Sequence, residues 1–179
     1  SKKVKGLYDT LATESCLYTK QGTINAINAG VRVKKLLQLI SGGVYDEQGN
    51  STYFHQERYD LILDLIKVRK HSLVAFNWKH ERDALVKLAA AQGITYEVID
   101  GDVPPPKRIN IVQRFQAGHI QVLFAHPQSA GHGLTLTRAT TCIWCSPTYN
   151  AEHFQQFNKR IYRAGQDILT KLQDEGLSK

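Results

Sequence analysis

Ser72-Leu-Val-Ala-Phe-Asn-Trp-Lys-His-Glu-Arg-Asp-Ala-Leu-Val-Lys-Leu-Ala-Ala-Ala-Gln-Gly-Ile-Thr-Tyr-Glu-Val-Ile99 reads as strand, helix, strand, the repeating unit of an α/β domain. Ser72 to Phe76 is an apolar run of strand length, and Thr95 to Ile99 is another. The helical stretch between them, about Lys79 to Gln92, stops at Gly93, a residue suited to the left-handed turn that closes a helix. The alternation continues outward. Asp100-Gly-Asp-Val-Pro-Pro-Pro106 ends the second strand, and proline suits the first turn of a helix that runs to Gln116, with Gly118 closing it. Ile120 to Ala125 is a third strand and Thr141 to Cys145 a fourth. Strands separated by helices of this length require right-handed crossovers and a parallel sheet covered on both faces.

Residues 1–70 follow a different pattern. Ile24, Ile27 and Val31, then Val33, Leu36, Leu37 and Ile40, keep helical spacing up to Ser41-Gly-Gly43. Tyr45 to Asn50 reads as a turn, and a second helix is expected from about His55 to Val68. The expected organisation is an N-terminal helical extension over 1–70, an α/β core over 71–166 and a tail over 167–179, the tail reading as one amphipathic helix or a frayed end.

The segment from Asn150 to Gln166 carries the chemistry. Asn150 is a good N-cap, Glu152 suits the positive first turn, and Gly165 stands where a C-terminal cap is expected. On one continuous helix Phe154, Phe157 and Ile161 form an apolar face, while Glu152, Gln156, Arg160 and Arg163 line up opposite. A solvated polar face has the same spacing. Two arginines one turn apart nevertheless repel unless an anion lies between them, and a triphosphate is such an anion.

Gln156-Phe-Asn-Lys-Arg160-Ile-Tyr-Arg163-Ala-Gly165-Gln166 resembles motif VI of superfamily 2 motors of the Swi/Snf type. Ser129-Ala-Gly131-His132-Gly133-Leu134-Thr135-Leu136 resembles their motif V, with Thr135 where the family has asparagine. Leu73-Val-Ala-Phe-Asn77-Trp78-Lys79 resembles motif IV. Asp100-Gly101-Asp102 through Arg108 to Arg114-Phe115 resembles the family's Asp-Gly-Ser/Thr loop and following helix, with Asp102 replacing the small hydroxyl residue. The four motifs stand in the family's order over residues 72–166. Leu36-Leu37-Gln38 through Gly43-Val44-Tyr45-Asp46 is similar to phage and prophage members.

The resemblance implies a three-layer RecA-like domain of the P-loop NTPase type, the second motor lobe of an ATP-dependent DNA helicase or translocase. It implies ATP with Mg2+ held mainly by a first lobe, supplied in cis or in trans. Gly133 would border the nucleotide, Arg160 and Arg163 would reach its γ-phosphate with Arg163 as the arginine finger, and Gln156 would couple that site to the lobe interface. Asn77, Lys79, Arg108, Ser129 and His132 are the implied contacts to duplex or single-stranded DNA. No Gly-x-x-x-x-Gly-Lys-Ser/Thr occurs in the chain, and Asp46-Glu47 has no apolar strand before it to serve as a magnesium-binding pair. This chain is therefore expected not to hydrolyse ATP alone.

Other classes fit less well. The 179 residues are 42% hydrophobic and 22% charged, ordinary for a globular domain. No apolar run reaches membrane-span length, no signal peptide is evident, and three cysteines point to a reducing compartment, the cytoplasm of a bacterium or phage-infected host. A formal charge of +7 leans toward a polyanionic partner. A nucleic-acid-binding module without ATP chemistry stays open as the alternative. A Rossmann-type transferase is disfavoured by the absence of Gly-x-Gly-x-x-Gly after Phe76, and a scaffold would leave the Gln156, Arg160 and Arg163 alignment unexplained. Cys142 and Cys145 have the spacing of a metal pair, yet residues three apart on a strand face opposite sides, which favours buried apolar thiols. Trp78 either stacks on a base or packs against the next helix.

Overall fold

The computed structural model describes residues 2–19, 22–130 and 133–162. The chain divides into two compact units, one spanning Ser1–Arg58 and the other beginning at Tyr59.

The first unit opens with helix α1 (Lys2–Glu14). Strands β1 (Cys16–Thr19) and β2 (Gly22–Asn25) then pair antiparallel. Helix α2 (Ala29–Ser41) leads to a second antiparallel pair, β3 (Gly43–Tyr45) and β4 (Ser51–Tyr53). Leu11, Leu17, Ile24, Leu39 and Val44 form its core. The region is thus not purely helical. Ile24, read from its spacing as part of a helix, sits on β2 opposite Leu17, and Ile27 is exposed. The reason is local: the Asn28 side chain accepts the Val31 N–H at 2.9 Å and starts α2 there, cutting the two isoleucines off from it. The turn expected at Tyr45 to Asn50 is present. Asp46 Oδ1 accepts from the backbone of Gln48 and Asn50, and its Oδ2 from the Asn50 amide. A short strand, β3, does precede Asp46-Glu47, contrary to the sequence reading, but these bonds consume the Asp46 carboxylate, hold it below its usual pKa range despite burial and make it the anchor of a hairpin.

The second unit is a three-layer α/β domain. Helix α3 (Glu57–Lys67) precedes strand β5 (Ser72–Ala75), followed by α4 (Lys79–Ala91), β6 (Tyr96–Ile99), α5 (Pro105–Gln116), β7 (Val122–Ala125), the short α6 (Pro127–Ala130), β8 (Thr141–Trp144) and α7 (Ala151–Asn158). The four strands are parallel in the order β6-β7-β5-β8. Their alternation sorts side chains between two cores. Leu73, Ala75, Leu123, Ala125, Cys142 and Trp144 join Ile111, Phe115 and Phe157 on the α5 and α7 side. Val74, Phe76, Val122, Phe124, Ile143 and Cys145 join Tyr59, Leu63, Ile66 and Leu85 on the α3 and α4 side. Cys142 and Cys145 therefore diverge across the sheet, as residues three apart on a strand must. Gly93 and Gly118 take positive φ, 68° and 83°, where expected beyond the ends of α4 and α5.

One element ends early. The helix expected from Asn150 to Gln166 stops at Asn158. The N–H groups of Arg160 and Ile161 bond three residues back, to Phe157 and Asn158, and the Arg160 carbonyl accepts from Leu136. A turn bonded sideways to another segment does not propagate as an α-helix.

Candidate nucleotide and nucleic-acid site

In open α/β sheets ligands gather beyond the carboxyl ends of the strands, where the strand order reverses. Here β7 and β8 flank β5 on opposite sides, so the segment 126–140 between them crosses that switch point. Three of its features concern the contacts expected from the sequence. Ser129 lies in α6, Gly133 is exposed with φ +73°, and a side chain placed at Gly133 would meet nothing within 4 Å. Backbone there is open to a ligand's close approach. Leu136 then returns to the core and its N–H donates to the Arg160 carbonyl at 3.1 Å.

Helix α7 is seated on β8 by an aromatic clamp. The Trp144 ring lies 5.1 Å from Phe154 and 5.2 Å from Phe157, and its indole N–H donates to Asn158 Oδ1 at 3.0 Å. The same oxygen accepts the Cys142 thiol at 3.2 Å, and burial pushes that thiol's pKa up to about 12. This arrangement buries Phe157 and sets the turn carrying Arg160 beside the segment carrying Gly133. Gln156 is half-buried and donates to Glu152 Oε1 at 2.7 Å, one turn back on α7. Because α7 ends at Asn158, Arg160 is off the helix, so the single helical face read through Gln156 and Arg160 is replaced by a helix and a turn. Arg163, Gly131 and His132, with Gly165, Gln166 and the tail, lie outside the described residues.

The loops after β5 and β6 hold the other expected contacts. The Asn77 amide donates to Ser146 O and Oγ, both at 3.0 Å, and to Pro147 O at 3.2 Å, strapping the end of β5 to the end of β8. The N–H groups of Asn77 and Trp78 both donate to Glu81 Oε2, at 2.8 and 3.1 Å, which caps α4. Lys79 is exposed and pairs with Asp102 at 3.3 Å. Arg108 is half-buried, and its guanidinium donates to the carbonyls of Val103 (2.7 Å), Asp100 (2.9 Å) and Ser129 (3.4 Å). Carbonyls orient a guanidinium without neutralising it, so its positive charge persists at this edge.

Sequence reasoning marked Asp100 as part of this loop but missed Arg82, the residue that holds it. Arg82 donates to Asp100 at 2.7 Å, and Asp100 Oδ1 accepts the Asp102 N–H at 3.0 Å. Burial raises the Asp100 pKa, but these bonds overcome it and hold the carboxyl below its usual range. His126, just past β7, is held below its normal pKa by burial and then by the nearby His153, against the pull of Asp100. The spacing of Arg82 within α4 gave no sign of its partner, since that contact crosses from one βα unit to the next.

The parallel order and the two helical layers define a RecA-like α/β lobe. The model of the helicase conserved C-terminal domain matches residues 57–165, more than half of the chain, and the chain belongs to that family. It is 29% identical over 167 residues to Putative protein p41 of Acyrthosiphon pisum secondary endosymbiont phage 1, covering 89% of this chain and 33% of that protein. It is 26% identical to Protein CHROMATIN REMODELING 24 of Arabidopsis thaliana over 87% of this chain and 15% of that one. The chain thus spans a third or less of these relatives. Among solved structures it is similar to the C-terminal part of the Fun30 ATPase domain, with TM-score 0.57 and 19% identity over 61% of this chain and 37% of that one. The C-terminal domain of the DEAD-box protein Dbp5 gives TM-score 0.52 and 16% identity over 63% and 66%. The fold expected from the Swi/Snf-type resemblance is the fold observed.

Proposed function

We propose that this chain is the second motor lobe of an ATP-dependent DNA helicase or translocase. The observation that carries the reading is the junction of the Gly133 segment with the Arg160 turn through the Leu136–Arg160 hydrogen bond, within a helicase C-terminal domain. The residues present fit a nucleotide bound at a lobe interface. Gly133 leaves room for close backbone approach, and Arg160 and Arg163 would supply guanidinium charge to a γ-phosphate, Arg163 as the finger. Gln156 would link α7 to the opposing lobe. Bound ATP with Mg2+ would supply a phosphoanhydride to cleave, with lobe closure on ATP and release after hydrolysis; a first lobe would hold most of it. We assign residues 1–70 as an extension to this lobe and 71–166 as the lobe itself.

DNA would run past the carboxyl edge, where Lys79, Arg108, Ser129 and His132 would meet phosphates. Asn77 would act there through the backbone it straps together. Such contacts position a strand without reading its bases. ATP hydrolysis with and without DNA, by this chain alone and with a first lobe supplied, tests the proposal. An inert chain that completes a DNA-stimulated ATPase, lost on Arg163→Ala, is the expected result. Turnover by the chain alone would overturn it. So would an Arg160→Glu variant that loses DNA binding as the isolated chain while the assembled ATPase survives, the signature of a binding module without ATP chemistry.

A further inference from the structure

The strands are parallel, so their beginnings share one edge, opposite the loops described above. A hollow of about 600 Å³ lies there, where α3 and α5 end and the strands begin. Lys67, Arg69, Lys70, His71 and Arg138 line it together with Gly118. Lys67 is paired with Asp64 at 3.1 Å. Among the described residues no carboxylate pairs with Arg69, Lys70 or Arg138.

The walls are built rather than incidental. Gln121 Nε2 donates to the carbonyls of Ile66 and Arg69, both at 3.3 Å, pinning the turn from α3 into β5. Gln116 donates to Thr137 Oγ1 at 2.9 Å and accepts the Arg138 N–H at 2.9 Å, pinning the opposite wall. At Gly118, with φ +83°, an added Cβ would stand 3.2 Å from the Arg138 guanidinium and 3.6 Å from the His71 ring. Glycine therefore lets the arginine lie against the backbone. His71 is buried with Nδ1 3.0 Å from the Ile120 carbonyl, a floor to the hollow.

Helix ends alone do not account for the charge. The C-termini of α3 and α5 bring about half a negative charge each, which attracts cations. Three cations without carboxylate partners exceed that, and the surplus favours an anion with several charges spaced along it. We propose that this hollow is a second phosphate-binding surface, taking the phosphodiester backbone of a nucleic-acid strand. The cations assigned here, Arg69, Lys70 and Arg138, are distinct from the residues assigned to the nucleotide, Gly133, Arg160 and Arg163, so this assignment and the proposed ATP chemistry can fail separately.

The test is the anisotropy of a fluorescein-labelled DNA duplex titrated with the whole chain across a salt series. Each lost phosphate contact flattens the log K against log salt slope by about 0.9. The triple variant Arg69→Gln, Lys70→Gln, Arg138→Gln is expected to flatten it by about 2 to 3 and to weaken binding at least tenfold at low salt. Lys70→Gln alone, an exposed position outside the pinning hydrogen bonds, is expected to flatten it by about 1 with an unchanged melting temperature, so the result does not depend on the triple variant folding. A matched removal of charge on α1, Lys2→Gln, Lys3→Gln, Lys5→Gln, is expected to leave the slope unchanged. The assignment is overturned if the hollow variants bind like the parent, or if the α1 variant loses as much, which would mean diffuse charge. Tripolyphosphate binding that is lost in the triple variant while its DNA slope is unchanged would mark a small-anion site and overturn the nucleic-acid assignment as well.

Discussion

The N–H of Leu136 donates to the carbonyl of Arg160 at 3.1 Å, and this one backbone bond ties the loop that crosses the sheet's switch point to the turn that ends α7. Since the bond is main chain to main chain, the Arg160 side chain can be removed without cutting it. Arg160→Ala is expected to lower DNA-stimulated ATPase of the assembled motor by roughly a thousandfold, the scale of losing a transition-state arginine. Leu136→Pro removes the N–H itself and is expected to lower both activity and melting temperature. An active Arg160→Ala motor would sink the role proposed for this residue.

Asn77 makes three side-chain hydrogen bonds to the segment after β8. Asn77→Ala is expected to cost about 1–3 kcal/mol in urea unfolding, because it leaves carbonyls at a half-buried site without donors. Asn77→Asp should cost more, since a carboxylate sets negative charge against those same carbonyls. Equal stability of the two variants would argue against the strap.

Lys79 and Asp102 pair on the surface, both largely exposed, so the pair itself contributes little to stability. Its effect should be on DNA. Asp102→Ser is expected to free Lys79 for a phosphate, steepening the salt dependence of DNA binding by about 0.9 and leaving the melting temperature within a degree or two. An unchanged slope would remove Lys79 from the contact set.

His80 is fully buried on α4 and burial lowers its pKa to about 4. The unfolded chain takes up a proton near pH 6.5, whereas the folded chain does so only near the lower value. Stability attributable to His80 is therefore complete above about pH 6.5 and falls as pH drops toward 4, by about 1.4 kcal/mol per unit at most. His80→Gln should flatten that slope in denaturant titrations between these limits. An identical slope in the variant would mean that other groups carry it.

Asn158 receives both the Trp144 indole N–H and the Cys142 thiol. Asn158→Ala is expected to cost about 1–2 kcal/mol and to red-shift tryptophan emission as the clamp loosens. Iodoacetamide at pH 8 should label Cys142 slowly in the parent, whose thiol is protonated, and faster in the variant. Equal labelling rates would show that the clamp does not govern the thiol's environment.

The α/β core was legible because its signals are local. The runs from Ser72, Thr95, Ile120 and Thr141 are apolar over strand length, and Gly93 and Gly118 mark helix ends through a backbone conformation that other residues resist. Asn150 capped α7 as its side chain requires, accepting the His153 N–H at 3.0 Å. Two readings failed for different reasons. Ile24 fell outside the helix because the Asn28 cap starts α2 only after it, whereas Arg160 left the helix because its carbonyl bonds a distant partner, Leu136. Arg82 with Asp100, and Asn77 with Ser146, join segments 18 and 69 residues apart.

The strand and helix alternation, the parallel class of sheet and the family motifs are all written locally in the chain, since each depends on periodicity, chirality and residue type over short spans. Which strands are neighbours, where α7 stops, which polar side chains are consumed in holding loops, and that cations from the end of α3 and the loop before β8 share one hollow became visible once the chain was folded. Those outcomes depend on hydrogen bonds and packing between residues far apart in the chain, and no local pattern records which distant group will supply a donor.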